Sequence, residues 1–296
     1  MKAIVTGALG FVGSNLVDLL ISEGHEVFGI DNLSSSSSSL YYKNPKVKYF
    51  LGSLLDPLAW KGDFEVVYHL GANARIQPSF DSPLETYKNN AFGLAYVAEQ
   101  ARQRNAKLIF SSTSSSLHGD YVSPYTQSKR AGEEYLKMLA HCYDVDCASA
   151  RFFNVYGNRE PISGDYATVV AKFGRQWLNG EPMTVVGDGT QSRDFTHVSD
   201  ICRGLLAISE EKRSGEIINL GRGNPYSIMD LVQMYAGEGA LEGKDYVFVP
   251  LRKNEGQATK WTESVKLNWE AKIDLPDYID SLKKLRLKPY SSPAIS

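Results

Sequence analysis

A turn with three evenly spaced glycines constrains the fold of this chain more than any other feature. Gly7, Gly10 and Gly13 follow a short β-prone run at residues 2–5 and precede residues 15–21, whose apolar side chains repeat at helical spacing. Glycines at a strand-to-helix corner allow positive φ angles and let another group approach the backbone closely. Because the first N–H groups of a helix attract anions, the turn predicts a phosphate-binding site.

A second β-prone run, residues 26–30, ends at Asp31. An acid about 20 residues after such glycines can accept hydrogen bonds from a ribose 2′-hydroxyl, and it repels a 2′-phosphate. A glycine triplet alone is also compatible with an ordinary tight turn. Strand, turn, helix, strand and acid in this order predict a dinucleotide-binding fold that prefers NAD to NADP.

The composition argues against several other functions. The 296 residues are 43% hydrophobic and 22% charged, and the net charge of −2 gives no basis for binding nucleic acid or a membrane surface. Cys142, Cys147 and Cys202 lack metal-ligand spacing, so no metal is expected, and no apolar run approaches the ~18 residues of a membrane span. Because the first strand begins directly after Met1, no signal peptide is expected and the predicted location is the cytoplasm.

Further apolar runs predict a parallel sheet, and the ends of these runs predict where a ligand lies. They are residues 47–51, 64–70, 107–110 and 216–221. Ligands of open α/β sheets bind outside the carboxyl ends of the strands. Leu70, Gly71 and Ala72 are therefore candidates to contact a cofactor, whereas His69 is interpreted as a structural residue.

Two residues on one predicted helix have the spacing of a catalytic pair. Tyr125 and Lys129 lie four residues apart, one turn apart on the same helical face, downstream of a strand that ends in Ser111, Ser112 and Thr113. An ammonium beside a phenol, with a cationic nicotinamide ring nearby, lowers the phenol pKa from about 10. The pair predicts a general base, although the same spacing also occurs by chance on surface helices.

Two later segments complete a recognisable order of motifs. Residues 148–157 read Ala-Ser-Ala-Arg-Phe-Phe-Asn-Val-Tyr-Gly, and residues 187–200 include Arg-Asp-Phe-Thr-His-Val-Ser-Asp. With the Gly-x-x-Gly-x-x-Gly turn and the Tyr-x-x-x-Lys pair, the chain resembles the extended short-chain dehydrogenase/reductase family of NAD-dependent nucleotide-sugar epimerases and dehydratases, which includes the UDP-glucose 4-epimerases. The resemblance runs from residue 1 to about residue 279.

The resemblance implies a doubly wound parallel Rossmann sheet with a smaller, discontinuous C-terminal substrate domain. The NAD-binding domain would comprise residues 1–154 and 193–221, and the nucleotide-sugar domain residues 155–192 and 222–288. Residues 289–296 would form a frayed tail. The helices at residues 83–104 and 125–143 would pair with their copies in a homodimer.

The resemblance also implies roles for individual residues. Thr113, Tyr125 and Lys129 would be catalytic, and the nucleotide sugar would be bound by Thr113, Asn154, Arg193 and Arg252. The implied NAD contacts, including those already named, are Gly7, Gly10, Phe11, Val12, Gly13, Asp31, Asn32, Leu55, Asp56, Leu70, Gly71, Ala72, Asn90, Ser111, Tyr125, Lys129 and Phe152.

Asp56 and the serine run at residues 34–39 each have two interpretations from the residues alone. Asp56 precedes Pro57, so its side chain is as well explained as a helix cap, and the two roles are compatible. The serine run at residues 34–39 is interpreted as a mobile loop beside the adenosine, with a phosphate-binding nest as the alternative.

The sequence departs from the family pattern beside Thr113. Leu117-His118-Gly119 stands where Val-Tyr-Gly is usual, with one extra residue among Ser114 to Ser116, and the segment between Asp120 and Tyr125 is short. Family dehydratases place Asp-Glu after the strand-end Ser/Thr, and decarboxylases place a Glu in this turn. Their absence predicts a 4-epimerase acting through a transient 4-keto sugar, of the UDP-glucose/UDP-galactose type. The alternatives are a 4,6-dehydratase or related oxidoreductase, and a non-catalytic NAD-binding sensor.

Overall fold

A parallel sheet lies at the centre of the computed structural model, which describes residues 1–34, 41–119, 122–164, 166–252, 258 and 265–286. The strands are β1 Lys2–Thr6, β2 Glu26–Asp31, β3 Lys48–Leu51, β4 Val66–His69, β5 Lys107–Thr113, β6 Cys147–Phe152, β7 Val155–Tyr156, β8 Met183–Val186, β9 Ser192–Asp194, β10 Thr196–His197, β11 Ser214–Leu220, β12 Pro225–Ser227 and β13 Tyr246–Val249. The helices are α1 Phe11–Ser22, α2 Ile76–Asp81, α3 Pro83–Tyr87, α4 Gly93–Gln103, α5 Pro124–Tyr143, α6 Val169–Asn179, α7 Val198–Ser209, α8 Ile228–Ala236 and α9 Leu275–Arg286. Most of the predicted serine loop and the whole tail lie outside the described residues.

The strand order of the main sheet is β11-β6-β5-β4-β1-β2-β3. Every neighbouring pair in it is parallel. The chain winds in one direction from β1 through β2 to β3, and in the other from β4 onward. Such a reversal opens a crevice at the carboxyl ends of the two strands where it occurs, here β1 and β4. The predicted doubly wound parallel sheet is confirmed, and this reversal positions the site.

Two apolar cores cover the two faces of the sheet. One is formed with α1 and α7 and includes Leu16, Leu20 and Leu205, and the other is formed with α4 and α5 and includes Leu94 and Leu136. Burying a leucine side chain stabilises a fold by about 1.5–3 kcal/mol. These contacts therefore fix the helices, and with them the side chains that the helices carry toward the strand ends.

A third apolar core is built from the parts of the chain assigned to the smaller domain. It joins Phe173 on α6, Leu231 and Tyr235 on α8, and Ile279 on α9. Phe195, which the sequence assigns to the larger domain, also packs in this core. The division into two discontinuous domains at the stated boundaries stays a prediction.

The helix predicted over residues 83–104 is present, and it contains a π-helical turn that the sequence does not predict. A π-helical turn, Lys88–Phe92, separates α3 from α4. The turn carries Asn90, whose buried amide bonds to neighbouring elements. None of the helices in the described part of the chain has the length and apolar character needed to span a lipid bilayer.

Candidate active site

The glycine turn forms a narrow corner between β1 and α1. Gly7 has φ +66°, and a Cβ there would lie 2.8 Å from the backbone nitrogen of Gly71, while a Cβ on Gly13 would lie 2.0 Å from the Gly7 carbonyl oxygen. Gly10 caps α1 and has no side chain to accept the first N–H groups of the helix. A pyrophosphate can therefore approach both the backbone and the positive end of α1, so these residues fit a dinucleotide.

A cavity of about 970 Å³ runs from this turn to the smaller domain. The predicted cofactor contacts that line it are Gly7, Gly10, Phe11, Val12, Gly13, Asp31, Asn32, Leu70, Gly71, Ala72, Ser111, Tyr125, Lys129 and Phe152. Thr113, Asn154, Arg193 and Arg252, the predicted substrate contacts, line it as well. The structure thus brings residues from distant parts of the sequence to one continuous space.

The Asp31 carboxylate is fixed at the end of β2. One oxygen accepts a hydrogen bond from the Leu9 N–H (2.9 Å), and the other accepts one from the Leu33 N–H (2.8 Å). Asp31 borders both the large cavity and a smaller adjoining cavity of about 80 Å³. Its place at the strand end is the one that the ribose interaction requires.

Two predicted cofactor contacts line neither cavity. One is Asp56, which accepts the Leu58 N–H (2.8 Å) and caps the 3₁₀ helix Pro57–Trp60, so its capping role is the one that the structure shows. The wall of the smaller cavity is formed instead by Ser53, Leu54 and the predicted Leu55. Ser53 and Leu54 were not predicted, because the prediction for this turn rested on the acid Asp56 and its neighbour Leu55.

Asn90 is the other of these contacts, and it acts below the site. Its amide oxygen accepts the Asn73 N–H (2.8 Å), and its amide nitrogen donates to the Asn73 carbonyl (3.1 Å) and to Ser128 Oγ (3.0 Å). Asn90 therefore joins the loop after β4 to α5, the helix that carries Tyr125 and Lys129. This geometry gives Asn90 a positioning role below the site, and its direct contact with the cofactor stays a prediction.

Thr113 and Tyr125 meet at the carboxyl end of β5. Thr113 is the last residue of the strand, and its side chain lies near the phenol of Tyr125, which is in the first turn of α5 and lines the same cavity. Ser123 caps that helix by accepting the Thr126 N–H (3.1 Å), and the Tyr125 N–H donates to Ser79 Oγ on α2 (3.2 Å). The start of α5, and with it the phenol, is held from two sides.

Lys129 lies one turn further along α5. Its Nζ donates to the Ser111 carbonyl (2.7 Å) and lies 4.7 Å from the centre of the Phe110 ring. Burial lowers the pKa of Lys129 to about 7, against the opposing effect of the Glu133 carboxylate. The ammonium is therefore partly neutral near pH 7.

The pKa of Tyr125 differs from the sequence expectation. Burial raises it above its ordinary value, while the hydrogen bond from Thr113 and the positive charge of Arg75 act to lower it. Lys129 is not among the causes. The charges of the chain itself therefore do not produce the lowered pKa that the Tyr-x-x-x-Lys spacing predicts, because the site that holds both groups is largely desolvated.

A buried ion pair anchors α5 to β6. Arg151 donates to both oxygens of Glu133 at 2.7 Å, and Ser112 Oγ donates to the same carboxylate (2.5 Å). Bidentate pairs of this kind fix orientation as well as distance. The helix face that presents Lys129 is thereby held in register with the strand ends.

His69 is positioned as a structural residue. Its Nδ1 is 2.7 Å from Thr6 Oγ1, and its ring stacks on Phe110 with centroids 5.9 Å apart. Burial, followed by the charge of Lys129, lowers the pKa of His69 to about 3. A histidine that is neutral at pH 7 and lines neither cavity does not act on a substrate there.

The segment beside Thr113 accommodates its extra residue in a 3₁₀ helix, Ser114–Leu117. Thr113 caps this helix, and Ser115 Oγ joins the hydroxyls of Thr113 (3.0 Å) and Thr126 (2.9 Å). His118, at the end of the turn, lines the large cavity. Among the described residues that line this cavity, Asp31 is the only acid, and it lies at the nucleotide end.

The end of the cavity away from the glycine turn is lined by cationic side chains. Asn154 donates to the Asp194 carbonyl (3.0 Å), and Arg193 on β9 donates to the Ser192 carbonyl (2.8 Å). Arg75, Tyr166 and Lys172 also line the cavity and were not predicted. Arg75 could have been found by extending the strand-end rule four residues past Gly71, whereas no sequence signal marked Tyr166 or Lys172.

Comparisons with known proteins agree with this geometry. Residues 3–221 match the NAD dependent epimerase/dehydratase family. The UDP-glucose 4-epimerase of Mycolicibacterium smegmatis is 31% identical over 304 residues, which cover 94% of this chain and 96% of that protein. UDP-glucuronic acid decarboxylase 1 of Arabidopsis thaliana is 31% identical over 300 residues, or 93% of this chain and 67% of that protein.

A solved structure has the same overall arrangement. The crystal structure of UDP-glucose 4-epimerase with UDP-glucose from Thermotoga maritima matches with a TM-score of 0.84 at 29% identity, covering 97% of this chain and 99% of that one. The match extends through both sheet and smaller core. The chain therefore belongs to the NAD-dependent epimerase/dehydratase family, and its cofactor is NAD.

Proposed function

We propose that this protein is an NAD-dependent nucleotide-sugar 4-epimerase that interconverts UDP-hexoses of the UDP-glucose/UDP-galactose type. The observation that carries the proposal is that Thr113 and Tyr125 line the same cavity as the glycine turn and the cationic end of that cavity. The cytoplasmic location and the homodimer stay predictions.

In the proposed reaction, Tyr125 acts as the phenolate, which the positive charge of a bound nicotinamide ring would favour, and takes the proton from the C4 hydroxyl of the sugar. Thr113, beside Tyr125, relays the proton. When bound, NAD would supply the acceptor for the C4 hydride and the donor for its return. Lys129 holds the nicotinamide ribose. The enzyme supplies position and charge, which are the larger part of what such a reaction needs from the protein.

Epimerisation requires that the 4-keto sugar turn between the two hydride transfers. Arg193 and Arg252 are positioned to bind the diphosphate, which is attached to C1 on the opposite side of the ring from C4. Anchoring the substrate at this remote group leaves the hexose free to rotate while it stays bound. Asn154, whose backbone has φ +22°, contributes to the same end of the site.

The lining of the cavity supports epimerisation over water or carbon dioxide loss. Elimination across C5 and C6 needs a general acid and a base near neutral pH, and serine hydroxyls such as those of Ser114 and Ser115 are too weak for either role. No carboxylate among the described residues lines the sugar end of the cavity. A non-catalytic NAD sensor would have no need of the Thr113–Tyr125 pair.

The direct test is incubation of the NAD-loaded protein with UDP-glucose, followed by separation of the UDP-sugars. We expect UDP-galactose. A product lighter than the substrate by one water would show a 4,6-dehydratase, and retention of NAD without any conversion of several neutral and acidic UDP-sugars would favour the sensor. Either result would refute the epimerase.

A further inference from the structure

Arg75 is a cation in the sugar end of the cavity whose role the proposed reaction does not use. It directly precedes α2 and lines the cavity together with Thr113 and Tyr125. Its Nε donates to the Tyr166 carbonyl (3.1 Å), and one of its terminal nitrogens donates to the same oxygen. This contact joins the loop after β4 to the segment before α6 and fixes the guanidinium at the cavity wall.

The charge of Arg75 is poorly compensated within the chain. A guanidinium carries five N–H donors, and among the described residues Arg75 bonds to a single carbonyl and forms no ion pair. Glu160 is the one acid whose charge affects it. Glu160 is buried, accepts a hydrogen bond from Thr168, and has a pKa raised by burial to about 7, so it is often neutral at pH 7.

A desolvated cation of this kind favours an anionic ligand. Burial lowers the pKa of Arg75, and the nearby positive charge of Arg252 adds to that effect. Removing a charge from water without a partner is unfavourable, and a carboxylate matches the planar fork of arginine with two parallel hydrogen bonds. The chain itself does not supply that carboxylate among its described residues.

Two observations assign the missing anion to the sugar. Lys172, Arg193 and Arg252 also line the cavity, and their three positive charges are enough to bind a diphosphate without Arg75. The charge of Arg75 acts on the phenol of Tyr125, and α2, which begins after Arg75, is tied to Tyr125 through Ser79. The phenol faces C4 of a bound hexose in the proposed reaction, and C6 is attached to C5, the ring carbon beside C4.

We infer that Arg75 binds an acidic group at C6 of the sugar, so that this enzyme prefers a UDP-hexuronate to the corresponding neutral UDP-hexose. The inference rests on the proposed 4-epimerase activity and names its substrate class. It leaves the reaction at C4 unchanged, because the carboxylate takes the place of the C6 hydroxymethyl group. Both sugars therefore fit the same catalytic pair.

The experiment compares UDP-glucuronate with UDP-glucose in the NAD-loaded enzyme. The wild type should have the higher kcat/KM with UDP-glucuronate. In Arg75→Gln the ratio of the two kcat/KM values should fall by about 30-fold or more, as for truncation of one partner in a buried charge pair. Arg75→Lys, which keeps the charge and loses the fork, should retain part of the preference.

Arg252→Gln is the matched control. It removes a cation that the proposed function assigns to the diphosphate. The kcat/KM values for both substrates should therefore fall by similar factors, and the ratio of the two values should stay near that of the wild type. Calorimetric titration with UDP, which has no sugar, separates the two sites further. The Kd for UDP should change far less in Arg75→Gln than the Kd for UDP-glucuronate.

Equal or better use of UDP-glucose by the wild type would overturn the inference. So would an Arg75→Gln variant that loses UDP itself as strongly as UDP-glucuronate, because Arg75 would then belong to the diphosphate grip. If neither sugar is epimerised, the proposed function has failed, and titration of the NAD-loaded protein with both UDP-sugars still tests the preference. Failure of the inferred substrate preference can therefore be distinguished from failure of the proposed 4-epimerase activity.

Discussion

Tyr125 is the residue on which the proposed chemistry depends. Its phenol lines the cavity with Thr113, and burial raises its pKa. Tyr125→Phe keeps the ring and removes the proton acceptor, so turnover should fall by about 10²–10⁴ while NAD remains bound. Steady-state rates with UDP-glucose and UDP-glucuronate measure the loss. Tyr135→Phe, on the same helix, is the matched control, and comparable activity of the two variants would contradict the assignment.

Lys129 predicts a pH dependence of stability with a definite sign. Burial lowers its pKa in the folded chain to about 7, from the ordinary value of 10.5 that it regains on unfolding. Between these values the unfolded chain binds more protons, so this group makes the free energy of unfolding rise with pH, by at most about 1.4 kcal/mol per pH unit. Below pH 7 both states are protonated, and Lys129 adds no further pH dependence.

The measurement compares wild type and Lys129→Met by urea unfolding between pH 7 and 9. The difference in free energy of unfolding, wild type minus variant, should increase across this window. Taking the difference removes the contributions of other groups, such as His69, which titrates at lower pH. A difference that is constant or falls with pH would show that Lys129 is fully charged in the folded protein.

Asp31 is predicted to set the choice between NAD and NADP. Because its two oxygens also hold the Leu9 and Leu33 N–H groups, Asp31→Asn is a milder change than removal of the side chain. It removes the negative charge that repels a 2′-phosphate, so the ratio of Kd values should shift toward NADP by about 10-fold or more. Fluorescence titration with both dinucleotides measures the ratio. Glu26→Gln, at the opposite end of β2, should leave it unchanged.

At the scale of elements, the π-turn between α3 and α4 positions the side-chain amide of Asn90. Asn90 bonds to the backbone of Asn73 and to Ser128, and its side chain is buried. Asn90→Ala leaves those partners unsatisfied and should lower the free energy of unfolding by about 1–3 kcal/mol. Lys88→Ala, at an exposed position of the same turn, should change it by less than about 0.5 kcal/mol. Equal effects in urea unfolding would show that the turn is not held by this amide.

The elements that the sequence predicts well are those that depend on local pattern. The β-prone runs at 26–30 and 107–110 became β2 and β5 because apolar residues buried on both faces leave few alternatives. The π-helical turn at Lys88–Phe92 could not be predicted, because it depends on contacts of Asn90 with residues far along the chain. Arg75 was not predicted for the same reason, because its position depends on a hydrogen bond to the carbonyl of Tyr166, which lies far along the chain.

Within the site, sequence order identified the groups but not their electrostatics. Spacing placed Tyr125 and Lys129 on one helical face, and the structure agrees. It did not predict that burial raises the pKa of one and lowers that of the other. Solvent exclusion results from the packing of several elements together, and a linear motif does not contain that information.

The whole molecule leaves an apolar surface uncovered on one side, which we define as the α3–α5 surface. It comprises residues on α3, the π-turn and α5, and its exposed members are Leu84 (82%), Tyr87 (49%), Phe92 (56%), Met138 (38%) and Tyr143 (59%). α3 and the π-turn pack against α5, so these side chains belong to neighbouring elements. Exposed apolar side chains concentrated on neighbouring elements are a feature of many protein–protein interfaces.

The predicted homodimer would bury this surface against its own copy, because a two-fold axis brings one patch onto itself. Phe92→Glu would then place a charge in the contact on both sides, and we expect monomers at micromolar concentration where the wild type forms dimers. Sedimentation velocity makes the comparison. Leu178→Glu, which changes an exposed leucine on α6 outside the α3–α5 surface, is the matched control and should leave the dimer intact. A wild type that sediments as a monomer, or a Phe92→Glu variant that stays dimeric, would show that the α3–α5 surface does not mediate self-association.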